Sequence, residues 1–288
     1  MSKTLPPTRC GNTEFRWGER TYVMGVCNLS PDSFSGDGLG DDVEATLAQA
    51  QRMVAEGADI IDVGGESTRP GSSSIPVDEE IRRVVPVIER LAAVITVPLS
   101  VDTYKSEVAE QALKAGVTII NDQWGLKKDK RLAELAAEYN APLILMSNQR
   151  DKGGYDSGIK RDVAYYDDLM AEITTSLKNS IELAVKLGVP QQNIIIDPGI
   201  GFGKTWRQEL EIIRRLDELQ ELEKPILIGP SRKSFIGMVL DLPSAERLEG
   251  TAASVAIGIS KGADIVRVHD VQQMVRVCRV SDAIVRWS

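Results

Sequence analysis

Three apolar runs in this chain end on polar groups of related kind: SVDT on Asp102, IIND on Asn121 with Asp122, and IIIDPG on Asp197. A carboxylate only accepts hydrogen bonds, whereas an amide accepts and donates. Two carboxylates and an amide converging on one cavity would grip a flat aminopyrimidinone ring, whose guanidine-like edge pairs well with a carboxylate. Taken singly, each is more readily the cap of a following helix; it is their convergence that favours a ligand. Groups of opposite sign accompany them. Lys233 in GPSRKSF, Arg267 and His269 in RVHD, and Arg69 in GGESTRPG would together meet an oxyanion, while Arg232 reads as solvated basic rim. His269 is the only histidine, which excludes histidine-rich zinc or iron sites and leaves a Ser-His-Asp device one possible centre.

The stretch DPGIGFGKT, from Asp197 to Thr205, has the look of a phosphate loop. A Walker A motif would need Gly where Pro198 stands, and the strict alternation of Gly199, Gly201 and Gly203 does not fit G-x-G-x-x-G. The stretch therefore reads as a tight ligand-lining turn, with Phe202 over a flat ring and Lys204 near the rim. CNLSPDSFSGDGLG (27–40) reads as a loop able to fold over a substrate and exclude water. At its root Asn28 offers an amide oxygen to Mg²⁺, an ion that often takes one or two protein oxygens and completes its shell with phosphates and water; a plain turn initiated by Asn28 reads equally well.

Positioning these groups requires a frame whose strand ends meet on one rim. Eight β-branched runs alternate with amphipathic ones: residues 21–28, 58–65, 97–103, 116–122, 141–147, 193–199, 224–231 and 263–270. This is the βα alternation of a parallel sheet. Eight such units predict a (β/α)₈ TIM barrel, an α/β fold, with an open doubly wound sheet as the alternative. Every residue singled out above falls at or just beyond a strand end, where barrels carry their chemistry. DDVEATLAQAQRMVAEG predicts a helix burying Val43, Leu47, Ala50 and Val54 and capped by Gly57. Residues 8–20 predict a short hairpin within an N-terminal extension of residues 1–20, and no linker or repeat divides residues 1–288 into further domains.

The 288 residues suit one barrel, and the 42 acidic against 34 basic side chains argue against broad binding to nucleic acid or to anionic membrane. Cys10, Cys27 and Cys278 are far apart and lack C-x-x-C spacing, which argues against a disulfide framework or a cysteine metal site. With no signal peptide and no membrane span in the sequence, a cytoplasmic location is expected.

MGVCNLSPDSFS, ADIIDVGGESTRPG, SVDTYKSEVAE, IINDQWGL, DPGIGFGKT, SRKSFIG, ERLEGTAA and GADIVRVHDV, in that order, resemble the dihydropteroate synthase family, folate-pathway enzymes that sulfonamides inhibit. The resemblance runs from about residue 21 to the C terminus. It implies a (β/α)₈ barrel, usually a homodimer, that joins 6-hydroxymethyl-7,8-dihydropterin diphosphate to 4-aminobenzoate with release of diphosphate. By the same resemblance Asp102, Asn121, Asp197 and Lys233 hold the pterin, Phe202 and Met146 line its pocket, and Arg267 stacks on or near the ring. Asn28, Arg69, Arg267 and His269 take the diphosphate and Mg²⁺, and Phe34, Thr68, Pro70 and Ser231 contact the aminobenzoate. The implied mechanism is dissociative, with a pterin cation stabilised by Asp102 and Asp197, and Lys233 belongs to the same catalytic set.

The chain departs from the family pattern in three stretches, one of them the MSNQRDKGGYDSG loop after strand five. Ser147 stands where a histidine is usual, Gln123 and Trp124 follow Asn121–Asp122 where smaller or different residues are commoner, and Pro230 precedes Ser231. Two other readings share the Asp/Asn constellation: a pterin-dependent methyltransferase of the corrinoid type, and a degenerate paralogue that binds pterin without turning it over.

Overall fold

The computed structural model describes residues 5–29, 43–67, 74–150 and 167–286. A short antiparallel hairpin, β1 (Thr8–Cys10) and β2 (Thr13–Phe15), comes first. The chain then alternates: β3 (Tyr22–Asn28), α1 (Val43–Ala55), β4 (Ile60–Gly64), α2 (Val77–Val94), β5 (Leu99–Asp102), α3 (Ser106–Ala115), β6 (Ile119–Asp122), α4 (Arg131–Glu138), β7 (Leu143–Met146) and α5 (Leu169–Lys186). It continues through β8 (Ile194–Asp197), α6 (Trp206–Arg214), β9 (Leu227–Ile228), α7 (Ser234–Leu240), α8 (Leu248–Ser260), β10 (Ile265–Val268) and α9 (Val271–Val285). The eight strands β3 to β10 pair in parallel in the order β8-β7-β6-β5-β4-β3-β10-β9. A parallel bridge between Ile196 and Ile226 closes the ring. This is the expected TIM barrel, with the strands where the β-branched runs placed them.

Two details differ from the pattern reading. β9 is only two residues long, because Pro225 and Pro230, which cannot donate to a ladder, flank Leu227–Ile228. Helix α1 buries Thr46, Ala50 and Met53 fully, while Val43, Leu47 and Val54 are only partly covered. The buried stripe is thus rotated about one residue from the predicted one.

Inside the barrel, Met24, Ile60, Ile119, Ile144, Ile195, Leu227 and Ile265 form one apolar cluster with Cys10, Phe15, Trp17 and Tyr22. The hairpin and the residues after it therefore cover the N-terminal mouth, with Phe15 and Tyr22 in edge-to-face contact at 4.8 Å. A second, larger cluster lies between the outer faces of the strands and the helices. Because inward positions recur every second residue, the residue two steps beyond Ile119 is Asn121, beyond Ile144 is Met146, beyond Ile195 is Asp197, and beyond Ile265 is Arg267. The chemistry-bearing residues are the next layer of the same inward faces.

Candidate active site

Asp102, Asn121, Met146, Asp197, Phe202, Ser231, Lys233, Arg267 and His269 line a single pocket at the C-terminal end of the barrel. Asn28 ends β3, half-buried and in register with Gly64, on the same rim but outside that lining. Phe34, Thr68, Arg69 and Pro70 lie outside the described residues.

Charge dominates the floor. The Arg267 guanidinium donates through Nε to Asp62 at 2.7 Å and through one terminal nitrogen to Asp102 at 2.9 Å. Burial would lower its pKa, but the two carboxylates outweigh that and raise it, so it stays a cation. Burial pushes the Asp102 carboxyl up to about 7 despite Arg267, with Asp62 adding to the rise. Asp197 is raised for the same first reason, opposed by the Gly199 amide and Lys233. Lys233 is brought down to about 8 by burial, against Glu209 and Asp197. Its ammonium sits 4.4 Å from the Phe202 ring centroid and donates to the Ile200 carbonyl. The pocket therefore presents both acceptors and cations, and burial brings Asp102 and Lys233 toward neutrality while Arg267 stays charged.

The DPGIGFGKT turn is built around these groups. Asp197 Oδ1 accepts from the Gly199 amide at 2.7 Å, which starts the turn. At Gly199, φ is +73° and an added Cβ would lie 2.3 Å from the Ser147 carbonyl oxygen; at Gly201 it would lie 2.8 Å from Lys233. Glycine at these positions lets the turn lie against β7 and lets Lys233 pass beneath it. Lys204 is not on the rim. It is 2% exposed and donates to the carbonyls of Ser147, Gly199 and Phe202 at 2.8, 2.9 and 3.1 Å. Burial draws its pKa down to about 7. Thr205 then caps α6 in a reciprocal pair with Gln208. The Lys-Thr pair that suggests a phosphate loop thus serves the loop's own carbonyls and a helix end.

His269 directly follows β10, with Nδ1 2.9 Å from Ser231 Oγ, which also accepts from the His269 backbone amide. Arg232 is not solvated rim: it forms a bidentate pair with Asp270 at 3.0 and 2.6 Å, and its own amide donates to Thr251. Arg247 donates to the carbonyls of Arg232 and Lys233, so the ERLEGTAA stretch buttresses the loop that delivers Lys233. Asp122 is a capping residue, accepting from the amides of Trp124 and Leu126. Side by side in one strand, Asn121 faces the pocket and Asp122 holds the turn.

Several groups have no counterpart in the motif reading. Asp62, fully buried in β4, lies beneath Arg267 and Asn121; its sequence signal is an acid between Ile61 and Val63 in an apolar run. Lys105 bonds Glu66, Glu80 and the Ile75 carbonyl at 2.7, 2.6 and 2.7 Å, and Glu66 also accepts from the Ile75 amide. This cluster ties the residues that flank 68–73 to the start of α3. Of the departures from the family pattern, Ser147 is fully buried and accepts from Gln149, and Gln123 lines the pocket; in the stretch after Ser147, Arg150 lies 4.7 Å over the Phe202 ring.

A family model described as pterin binding enzyme matches residues 24–269. The dihydropteroate synthase of Clostridium beijerinckii is 50% identical over 279 residues, covering 96% of this chain and 99% of that protein. That of Bacillus subtilis is 48% identical over 266 residues, covering 92% and 89%. Among solved structures, a Yersinia pestis dihydropteroate synthase in complex with a sulfonamide drug superposes with a TM-score of 0.89 at 38% identity, covering 97% of this chain and 98% of that one. A Clostridium difficile enzyme solved in the presence of pteroic acid gives 0.85 at 47% identity, covering 94% and 99%. On a barrel closed at one end and charged at the other, with relatives matched over nearly their full length, the chain belongs to the dihydropteroate synthase family.

Proposed function

We propose that this chain joins 6-hydroxymethyl-7,8-dihydropterin diphosphate to 4-aminobenzoate, giving 7,8-dihydropteroate and diphosphate. The observation that carries the reading is the opposition, in one pocket, of Asp102, Asn121 and Asp197 to Lys233, Arg267 and His269. In the proposed reaction Asp197 and Asn121 take the aminopyrimidinone edge and Lys233 its carbonyl side, with Phe202 and Met146 bounding the ring. The C–O bond to diphosphate breaks first, and its electron pair leaves with the anion, whose charge Arg267, His269 and Arg69 meet. The cation left on the pterin methylene is stabilised by the ionised Asp102 and Asp197. The arylamine nitrogen, held by Phe34, Thr68, Pro70 and Ser231, attacks that carbon and loses a proton to solvent. No covalent enzyme intermediate and no strong general base are needed, which suits a chain with one histidine.

No group of three or more His, Cys, Asp or Glu poised to cage a metal occurs among the described residues. The Asn28 amide oxygen nevertheless fits Mg²⁺ shared with a diphosphate, because that ion is content with one protein oxygen and substrate oxygens. The metal would supply charge neutralisation of the leaving diphosphate. Release of diphosphate from the purified chain should require 4-aminobenzoate and Mg²⁺ together; release undiminished by excess EDTA would remove the metal from the proposal, and none with both present would remove the activity. Sulfonamides should compete with 4-aminobenzoate in the same assay.

The corrinoid methyltransferase reading has less support, since the near-full-length relatives are dihydropteroate synthases. A degenerate paralogue would be favoured by loss of Lys233 or Arg69, and both are present. A homodimer is proposed through the helices after β9 and β10, where Val239, Ile257, Val280 and Ile284 are at least half exposed; sedimentation should give twice the chain mass. No helix among the described residues is long and apolar enough to cross a membrane, and three buried cysteines outside any disulfide suit the proposed cytoplasmic location.

A further inference from the structure

Asp62 is fully buried in the middle of β4, two residues below the rim. One of its oxygens, Oδ2, accepts from two donors that belong to the pocket: Asn121 Nδ2 at 3.2 Å and Arg267 Nε at 2.7 Å. The other, Oδ1, is buried with no hydrogen-bond partner. A buried carboxylate with an unpaired oxygen destabilises a fold unless something else offsets it, so stability alone does not account for an acid in this place.

What it does to Asn121 follows from donor and acceptor chemistry. A carboxylate has no proton to give, so it can face only the NH₂ end of the amide; the flipped amide would set carbonyl against carboxylate. With Nδ2 directed at Asp62, the carbonyl oxygen of Asn121 is the other in-plane prong of an amide that lines the pocket, and so the prong left to face a ligand. It joins the carboxylates of Asp102 and Asp197 there as a third acceptor, and Asp102 Oδ1 is also buried without a partner. A ring edge that carries adjacent N–H donors satisfies that array, whereas the same ring with a carbonyl in place of its amino group would set oxygen against oxygen.

We propose that Asp62 is the positioning residue that sets substrate polarity at this site: without touching the substrate, it locks the Asn121 amide with its oxygen toward the ring and holds Arg267 by the same carboxylate oxygen. The inference rests on the pterin-diphosphate reading above and adds the origin of its selectivity for a 2-amino ring.

The test measures binding of 6-hydroxymethylpterin and of its 2-oxo counterpart to the wild-type chain, Asp62→Asn and Asp62→Ala by calorimetry. A site built to accept hydrogen bonds rejects an analogue that lacks the donor, so the wild type should favour the 2-amino compound by at least about thirtyfold. Asp62→Ala frees the amide to flip, and the preference should fall about tenfold or more. Asp62→Asn keeps an acceptor oxygen and should hold the preference within about threefold of wild type, while losing overall affinity through Arg267. A folded Asp62→Ala protein with the wild-type preference would overturn the proposal. If circular dichroism shows that variant unfolded, the ¹⁵N-labelled wild type decides. One slowly exchanging Asn121 side-chain proton is expected, and a freely exchanging amide would overturn the assignment. A wild type that releases diphosphate from both substrates yet binds the two pterins equally sinks this inference alone, whereas one that releases none sinks the reading beneath it.

Discussion

The two mouths of this barrel are built from the same strands and behave in opposite ways. At the N-terminal mouth the inward residues are Ile, Leu and Met, covered by Phe15, Trp17 and Tyr22, whose rings pack edge to face or stacked within 4.8 to 5.8 Å. At the C-terminal mouth the same inward faces carry Asp62, Asp102, Asn121, Asp197 and Arg267, with oxygens of Asp62 and Asp102 buried and unpaired. One end gains free energy from burial and the other loses it. Stability and chemistry are thereby separated along the barrel axis by two residues of strand, which lets the closed end carry the strain of the open one.

The largest effect should come from breaking the closed end. Phe15 is 1% exposed, and Phe15→Ala should cost about 3–5 kcal/mol of folding stability with unchanged pterin affinity in the molecules that remain folded. Urea unfolding and calorimetry on the same sample check both halves. Should pterin affinity fall in step with stability, the two mouths are energetically one unit and the separation is wrong.

Next come the acceptors and the cation of the open end. Asp102→Ala, Asp197→Ala and Lys233→Ala should each weaken pterin binding by about 2 kcal/mol or more, because a charged partner is lost to a buried edge. The Asp102 variant leaves Arg267 with Asp62 as its carboxylate partner, and the Asp197 variant leaves the Gly199 amide without its acceptor, so each should lose only about 1–2 kcal/mol of stability, less than Phe15→Ala. Unchanged affinity in both would take the carboxylates out of the site, and a melting point well below wild type would give them a structural role instead.

The pH dependence sharpens the same contrast with a smaller effect. The folded Asp102 carboxyl lies at about 7, above its ordinary value of 3.8. A group whose folded pKa is raised binds more protons when folded. Its favourable contribution is therefore present below the ordinary pKa and is lost as pH rises toward about 7. Wild type should thus lose stability relative to Asp102→Asn between about pH 4 and pH 7, and hold a constant difference above that. Over the same range kcat/KM for the pterin diphosphate should rise as Asp102 ionises. Parallel stability curves for the two proteins would place the titration elsewhere.

Much of this was legible from the sequence because the barrel has a short period. Inward residues alternate, so Asn121, Asp197 and Arg267 could be read from the ends of runs whose apolar partners stand two positions earlier. Asp62 was not, because it stands inside its run rather than at the end of it, although inward-facing Ile60 precedes it by the same two positions. Lys204 misled for a different reason: lysine beside glycines suits a phosphate and three loop carbonyls equally, and only burial distinguishes them. The Lys105–Glu66–Glu80 cluster joins a strand end to two different helices, and no local spacing reports such a contact.

The smallest effect is expected at the only histidine. Ser231 Oγ accepts from the His269 amide and lies 2.9 Å from Nδ1, so its own hydroxyl proton is placed to donate to that nitrogen. The tautomer expected for a donor to the pocket has its ring proton on Nε2 with Nδ1 accepting from Ser231, and ¹⁵N chemical shifts of the imidazole check it. Its proposed task is one hydrogen bond to the leaving diphosphate, with the proton retained. Glutamine carries an N–H donor of similar reach, so His269→Gln should cost about tenfold or less in kcat/KM, with a kcat that stays flat across the histidine titration range. Lys233→Ala removes a charge that faces both Asp197 and the pterin, and should cost more. If His269→Gln proves the more impaired of the two, and its loss follows a histidine-like ionisation in the wild-type profile, then His269 moves a proton in the reaction. The open mouth would then need an acid as well as an electrostatic cradle.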